Sequence, residues 1–466
     1  MIEQVHAIFA ALLQHDSWLA ELAGILPLSA LIDFIDVPGI LHIFELTGAI
    51  PLWCWAVTPS GGRLLLSKTN VSESCFLDRF GNSPSLICLD GRYGDSYPMA
   101  SPETVRLCLS SIKGTYIPND HVNMNRDDKR LQKLEVIHVS RVSHPKKQRW
   151  PQGYGAASVF GWVLLLGILV FGCMMKFWWM VAFYLIVPLT GVLIYMLHGS
   201  KPRKLGAKAD GGSDFNRLVL VARHMNEVDW QVFYGESAVV NSLLNWPLQV
   251  DPILKKGQPG LRLALRVLIF SQWVIAIGAA ATKGWDAYGI TFWVWFCILS
   301  HNYVFSPERS TSSWLRHFAE IRMERFQTHL SSRRALLNAV VALNPDTFEM
   351  DLRTREDKVS QLYSGSLLLI DPILKAGPDR TRWEEATRLA MVEARLKRRE
   401  NIDSGSKKDD KSPTVVEEED WKATYGDRYW CRYISEGIEV AENISQRADL
   451  TGRFVRKPTG KVGMCH

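Results

Sequence analysis

Two long apolar blocks, Ala156–Leu197 and Leu263–Phe305, constrain this chain more than any other feature. Each block is about twice as long as the roughly 20 residues that an α-helix needs to cross a bilayer. Lys176 interrupts the first block near its middle, and the second is interrupted from Lys283 to Asp286. The pattern predicts a multipass α-helical membrane protein with four transmembrane helices arranged as two hairpins. The predicted spans are 156–175, 177–197, 263–282 and 287–305.

Basic residues flank the outer ends of both blocks. They are Lys146, Lys147, Arg149, Lys201, Arg203, Lys204, Lys208, Lys255, Lys256, Arg262, Arg309, Arg316, Arg322 and Arg325. The turns inside the blocks contain only Lys176 and Lys283 as basic residues. Because Lys and Arg are enriched on the cytosolic side of transmembrane helices, this pattern places both termini and the 198–262 loop in the cytosol. The clustering beside the blocks indicates membrane topology rather than nucleic-acid binding.

Two alternatives to four spans remain open. The blocks could be buried helices of a large soluble core, although long uncharged runs are rare in soluble helices. A further span at Pro38–Val57 is the other alternative. It contains His42, Glu45 and Pro51, and the first two are costly inside a bilayer.

Composition divides the rest of the chain into cytosolic segments of mixed α/β character. The predicted units are an N-terminal helical segment at 1–57, a strand-containing domain at 58–155, hairpins at 156–197 and 263–305, a loop domain at 198–262, a helical region at 306–400, a disordered linker at 401–420 and a tail at 421–466. Strands are predicted at 63–66, 85–89 and 134–139, and helices at 313–343 and 381–399. The linker is rich in Ser, Lys, Asp and Glu, a composition typical of disorder.

The chain contains one internal similarity. Val221–Gly257 aligns without gaps on Val341–Gly377, and the run Asp251–Lys255 recurs as Asp371–Lys375. Asp caps helix N-termini and Pro fits the first helical turn, so the same short capped turn used twice would explain the match. A true duplication is the alternative.

Two serines come closest to a nucleophile motif, and neither motif is complete. Gly235-Glu236-Ser237-Ala238-Val239 lacks the second glycine of a nucleophile elbow. Ser110 and Lys113 form an S-x-x-K without its companion motifs. The catalytic residues therefore stay unknown at this level.

The candidate metal ligands are equally incomplete. Asn119–Asp128 is dense in oxygen donors, but it lacks the glycine and the closing glutamate of a calcium loop. Asp33 and Asp36 form an acidic pair without a partner motif. The histidines that could bind iron are isolated, and they are His198, His224, His301, His317 and His329. The eight cysteines include no C-x-x-C pair. The sequence predicts no metal and no cofactor.

Three hypotheses for function follow. The first is a membrane-anchored scaffold or adaptor whose cytosolic segments bind proteins, with the bilayer and a homo-oligomer as further partners. The second is a transporter or channel subunit. Gln272 is its best-placed intramembrane polar residue, and Gly278–Ala281 would let another helix approach closely. The third is a membrane-bound enzyme with a cytosolic site, for which the candidate residues are Asp90, Asp120, His121, His224 and Glu236.

Overall fold

The computed structural model describes residues 17–30, 37–47, 51–57, 85–122, 131–142, 154–199, 215–245, 258–350, 357–403 and 432–450, together with a few single positions. In chain order the helices of these residues are α1 Ser17–Ala30, α2 Val37–Thr47, α3 Pro102–Ser110, α4 Tyr154–Met175, α5 Trp178–His198, α6 Ser237–Leu244, α7 Gln258–Thr282, α8 Trp285–Leu299, α9 Pro307–His317, α10 Arg333–Leu343, α11 Pro378–Asp403 and α12 Arg432–Arg447. The strands are β1 Ile87–Asp90, β2 Ser96–Pro98, β3 Gly114–Tyr116, β4 Gln132–Arg141, β5 Asn216–Ala222, β6 Asp229–Glu236, β7 Ile321–Leu330, β8 Phe348–Met350 and β9 Asp357–Leu362.

Three helices, α4, α5 and α7, are long and apolar enough to cross a membrane. The fourth helix of the predicted hairpins, α8, has 15 residues and continues as the π-helical turn Ser300–Val304. The four helices pack around a shared apolar core. Large apolar side chains also cover the outside of the helices. On α4 and α7 these exposed residues are Val159, Phe160, Val163, Leu166, Val170, Leu263, Val267, Phe270, Val274 and Ile277. An apolar surface of this extent is compatible with insertion into a membrane.

The two helical pairs are closed by similar turns and are linked to each other at that end. Lys176 and Lys283 each adopt a positive φ, of 59° and 49°, which ends the preceding helix in the left-handed conformation. Asp286, in the first turn of α8, accepts a hydrogen bond from the backbone N–H of Met180 at 3.0 Å. This carboxylate caps the N-terminus of α5 from the other pair.

Small residues allow close packing within this bundle, as the sequence predicted. A Cβ placed on Gly278 would lie 2.9 Å from the Trp179 ring of α5. Gly24 of α1 lies against the backbone carbonyl of Ala280, so α1 is the neighbour that approaches the alanine run of α7.

Most of the remaining described residues form an α/β domain around a seven-stranded mixed sheet with the order β2-β1-β5-β6-β4-β7-β3. β4 pairs in parallel with β6 and antiparallel with β7. β4 precedes the first helical pair, β6 lies between the pairs, and β7 follows the second. Three segments that are distant in sequence therefore contribute neighbouring strands to one sheet.

Side chains alternate across the sheet and fill a core on each face. Leu134 and Val136 face a core built with α10, α11 and α12. Ile137 and Val139 face a second core built with α3, α6 and α9, which also receives Leu46 from α2. Within this layer, α9 directly follows α8 and its π-helical turn, packs against α2, and brings Ser310 Oγ within 2.6 Å of the Tyr154 hydroxyl of α4.

The strand predictions at 85–89 and 134–139 and the helix predicted at 381–399 are confirmed by β1, β4 and α11. The strand predicted at 63–66 is wrong where the structure describes it, because Leu65 is helical. The helix predicted over 313–343 is interrupted by β7, in which Phe326 packs in the sheet core. Most of the predicted linker at 401–420 lies outside the described residues.

The internal similarity does not correspond to a repeated structure. Val221 lies in β5, whereas its counterpart Val341 lies in α10. Asp371 does not cap a helix, because α11 begins seven residues later and the Asp371 carboxylate instead binds Arg380. The matching run Asp251–Gly257 lies outside the described residues.

Candidate functional site

A short, mostly irregular segment, Pro51–Val57, is buried among α4, α5, α7 and α8. It contains one turn of 3-10 helix at Leu52–Cys54, and all of its residues except Leu52 are buried. Two glycines make room for it. A Cβ on Gly161 of α4 would lie 2.1 Å from Trp53, and one on Gly191 of α5 would lie 2.2 Å from the Leu52 carbonyl oxygen.

Gln272 of α7 satisfies the backbone of this segment. Its Oε1 accepts a hydrogen bond from the Val57 N–H at 3.0 Å, and its Nε2 donates to the Trp55 carbonyl at 3.2 Å and to Thr190 Oγ1 at 2.7 Å. The neighbouring Trp273 donates from Nε1 to the Val57 carbonyl at 3.0 Å. Irregular backbone at this depth of a bundle requires internal hydrogen-bond partners. The hydrogen bonds of the Gln272 amide therefore stabilise the fold.

Cys54 and His301 form the closest thiol–imidazole contact of the described residues. His301 Nε2 lies 3.2 Å from Cys54 Sγ and 3.0 Å from the Cys54 carbonyl oxygen. Both side chains are buried, and His301 Nδ1 has no hydrogen-bond partner in the described part of the chain. A nucleophilic dyad needs a group that orients the imidazole and a route for substrate, so this arrangement supports a packing role. Sequence reasoning missed the pair because 247 residues separate its members.

A second buried polar cluster joins α2 to the α/β domain. Asp78 Oδ1 accepts hydrogen bonds from the backbone N–H groups of Glu103 and Thr104, and Asp78 Oδ2 accepts from Thr104 Oγ1 at 2.9 Å. His42 Nε2 lies 3.1 Å from the same Thr104 hydroxyl. Burial raises the pKa of Asp78, and His42 and the hydrogen bonds from Thr104 and Glu103 offset part of this shift. The cluster caps α3 and fixes α2 against it.

The sheet contains a charged network around the buried Glu135 of β4. Its Oε1 accepts hydrogen bonds from Arg325 at 2.7 Å and Gln327 at 3.1 Å, and Lys133 Nζ lies 2.6 Å away. Gln231 donates to Oε2 at 3.5 Å. Burial raises the pKa of Glu135, but the hydrogen bonds from Arg325 and Lys133 lower it by more, so the net pKa lies below its usual range. No sequence motif marks this network, because it comes from three strands.

The five residues considered for a cytosolic enzyme do not converge. Asp90 is buried in an ion pair with Arg217, whose Nη2 lies 2.6 Å from its Oδ2. Glu236 pairs with Arg141 at the end of β6, and His121 pairs with Glu439 of α12. Asp120 and His224 are exposed.

The serines and the oxygen-rich turn have ordinary structural partners. Ser110 donates to the Leu107 carbonyl at the end of α3, and Ser237 begins α6 with its hydroxyl 3.5 Å from the Asn241 amide. Asn119 donates to Glu436 Oε1 at 3.0 Å, which fixes the turn to α12. Among the described residues, no group of three or more His, Cys, Asp or Glu side chains could hold a metal ion.

No family model, no curated protein and no solved structure matches this chain. Any proposal about its function must therefore come from its own residues and their arrangement.

Gly161→Val is expected to destabilise the protein by about 2 kcal/mol, because a side chain cannot fit against Trp53 without moving the buried segment. Gly167→Val is the matched control on the same helix, where an added Cβ meets nothing within 4 Å. Thermal unfolding of both variants in detergent micelles tests this expectation. Equal stability of the two variants would show that Trp53 does not pack against Gly161.

Gln272→Leu is expected to lower the free energy of unfolding by about 3 kcal/mol, because it removes the buried hydrogen bonds from Gln272 to the Val57 N–H and the Trp55 carbonyl. Ser271→Ala, at the neighbouring position, is the control for loss of a polar side chain and is expected to change stability little. Thermal unfolding in detergent micelles compares the stability of these two variants with that of the wild type. A Gln272→Leu variant as stable as the wild type would show that the hydrogen bonds of Gln272 do not stabilise the segment Pro51–Val57.

Glu135→Gln is expected to cost about 2 kcal/mol of stability near neutral pH, since Arg325 and Lys133 lose their shared carboxylate. The folded-state pKa of Glu135 is depressed, so its contribution is present above the unfolded pKa of about 4.3 and is lost as the pH falls. The stability difference between wild type and variant should therefore shrink below pH 5. Glu236→Gln, which removes the more exposed pair with Arg141, should cost less than about 1 kcal/mol at any pH.

Proposed function

We propose that this chain is a membrane-anchored scaffold, in which two transmembrane hairpins, α4–α5 and α7–α8, hold the α/β domain at the membrane surface to bind cytosolic proteins. The observation that carries the proposal is the pairing of β4 with β6 and β7. Strands in one sheet lie on one side of a membrane, so each helical pair must cross an even number of times. The basic flanks support a cytosolic location for this domain.

The length of α8 fits a span when its π-helical continuation is included. Together Trp285–Leu299 and Ser300–Val304 comprise 20 residues (15 plus 5), or about 30 Å at the rise of an α-helix, which matches the hydrocarbon thickness. Exposed apolar residues on this segment support contact with lipid. They are Phe292, Trp295, Leu299, Tyr303 and Val304.

The alternatives have less support from the geometry. For a transporter, the best intramembrane candidate was Gln272, and its hydrogen bonds go to the protein itself. For an enzyme, the candidate residues are dispersed over separate ion pairs and exposed turns. The scaffold proposal requires neither a polar path nor a catalytic set.

The outer face of α11 is the best candidate surface for a protein partner. Trp383, Ala386 and Ala390 pack into the domain core, which leaves the opposite face in solvent. Leu389 and Leu396 are 57% and 47% exposed on that face and lie two helical turns apart. Their charged neighbours on the helix are Arg388, Glu393 and Lys397. An apolar pair within a polar rim is typical of a site that binds another protein.

The double variant Leu389→Lys, Leu396→Lys is expected to abolish binding of a specific partner, because it removes the exposed apolar pair of α11. The measurement is cross-linking of the full-length protein in native membranes, followed by identification of the captured proteins. Leu368→Lys is the control, because Leu368 is similarly exposed, at 44%, elsewhere on the domain. If the wild type, the double variant and Leu368→Lys all capture the same proteins, or capture none, the proposed surface is wrong. Capture of a second copy of this chain would instead identify a homo-oligomer.

A further inference from the structure

Helix α1 lies at the end of the bundle that is remote from the α/β domain. Tyr288, near the beginning of α8, donates from its hydroxyl to the Leu19 carbonyl at 2.8 Å. A Cβ on Gly24 would lie 3.6 Å from the Ala280 carbonyl and 3.6 Å from the Lys283 side chain. These contacts surround the turn between α7 and α8, whereas the domain adjoins the opposite ends of both helices.

Helix α2 lies at the other end of the bundle. His42 contacts Thr104 of the domain at 3.1 Å, and Leu46 joins the core beneath the sheet. Leu41 packs in one cluster with Leu265 of α7. Leu265 and Ala280 are 15 residues apart on α7, which is about 22 Å along a helix. Leu19 of α1 and Leu41 of α2 therefore lie at opposite ends of the bundle.

The outward face of α1 resembles the lipid-facing surface of the neighbouring helices. Trp18, Leu22, Ile25 and Leu28 are 59%, 39%, 64% and 47% exposed, and their spacing places them on one stripe of the helix. Glu21 is the only charged residue of α1, and it lies in the half of the helix near the α7–α8 turn. The opposite face of α1 packs on α7 and α8 through Ala23, which is fully buried.

The charge of the N-terminal segment provides independent support. Residues 1–62 contain no Lys or Arg, and the first basic residue is Arg63. Glu3, Asp16 and Glu21 are acidic residues of the part at or before α1. A segment on the cytosolic side would be expected to carry Lys or Arg beside its first apolar run. The absence of both up to Arg63 favours the opposite side.

We propose that the chain makes a fifth, discontinuous crossing between Leu19 and Val37, so that the residues before α1 face the compartment opposite the α/β domain. This inference rests on the two hairpins of the proposed function. It replaces the expectation of a cytosolic N-terminus and the alternative of a further span at 38–57. The 38–57 segment instead divides into α2, beside the domain, and the buried segment Pro51–Val57. The N-terminal residues are thereby available to partners that the domain cannot reach.

The test is labelling of introduced cysteines with a membrane-impermeant maleimide, in the full-length protein in sealed vesicles of known orientation. Gln4→Cys and Ile8→Cys place thiols at exposed positions before α1, Gly284→Cys places one in the α7–α8 turn, and Arg388→Cys places one on the domain. The unsubstituted protein is the control, because it shows how strongly the native cysteines are labelled. Melting of each variant shows that it is folded.

The expected result is that positions 4, 8 and 284 label from one side and position 388 labels only from the other. Labelling of positions 4 and 8 from the same side as 388, with 284 opposite, would overturn the fifth crossing while leaving the two hairpins intact. Labelling of 284 and 388 from the same side would instead refute the hairpins and the proposed function. Failure of both N-terminal positions to label from either side would also overturn the inference, because it requires them to face water.

Discussion

The hydrogen-bonded pairing of β4 with both β6 and β7 is the constraint on which the rest of the structure depends. These strands come from segments that are separated by the two apolar helical pairs. Because the strands are neighbours in one sheet, each helical pair must begin and end on the side where the sheet lies. The layer of α3, α6 and α9 then packs on one face of the sheet together with Leu46 of α2. The apolar helices and the domain are consequently parts of one fold.

The same constraint explains why polar residues are retained inside an apolar bundle. The segment Pro51–Val57 forms only one turn of 3-10 helix among the apolar helices, so other buried backbone groups of this segment need partners from side chains. Gln272 supplies both a donor and an acceptor from one side chain, and Thr190 occupies its remaining donor. His301 Nε2 likewise lies within hydrogen-bond distance of the Cys54 carbonyl oxygen. The buried polar side chains of the bundle therefore bind the irregular backbone of this segment.

Local pattern in the sequence predicted the long apolar helices, β1, β4 and α11, because each of these elements carries its own hydrophobic period. It did not predict β7, since Phe326 and Ile321 also fit a helical spacing and only pairing with β4 decides between the two. The Glu135 network and the Cys54–His301 contact join residues that are about 190 and 247 positions apart. Contacts of that range are set by topology, and the local pattern of a single sequence does not reveal them.

Topology also sets the order in which this fold can form. β4 is synthesised before the first helical pair, but its partners follow one and two pairs later, so the centre of the sheet stays open until all four helices are placed. Closing such long loops is entropically costly and makes folding slow. The hydrogen bonds from His42 to Thr104 and from Thr104 to Asp78 involve only segments that precede the first pair. They connect α2 to α3 without a contribution from either helical pair.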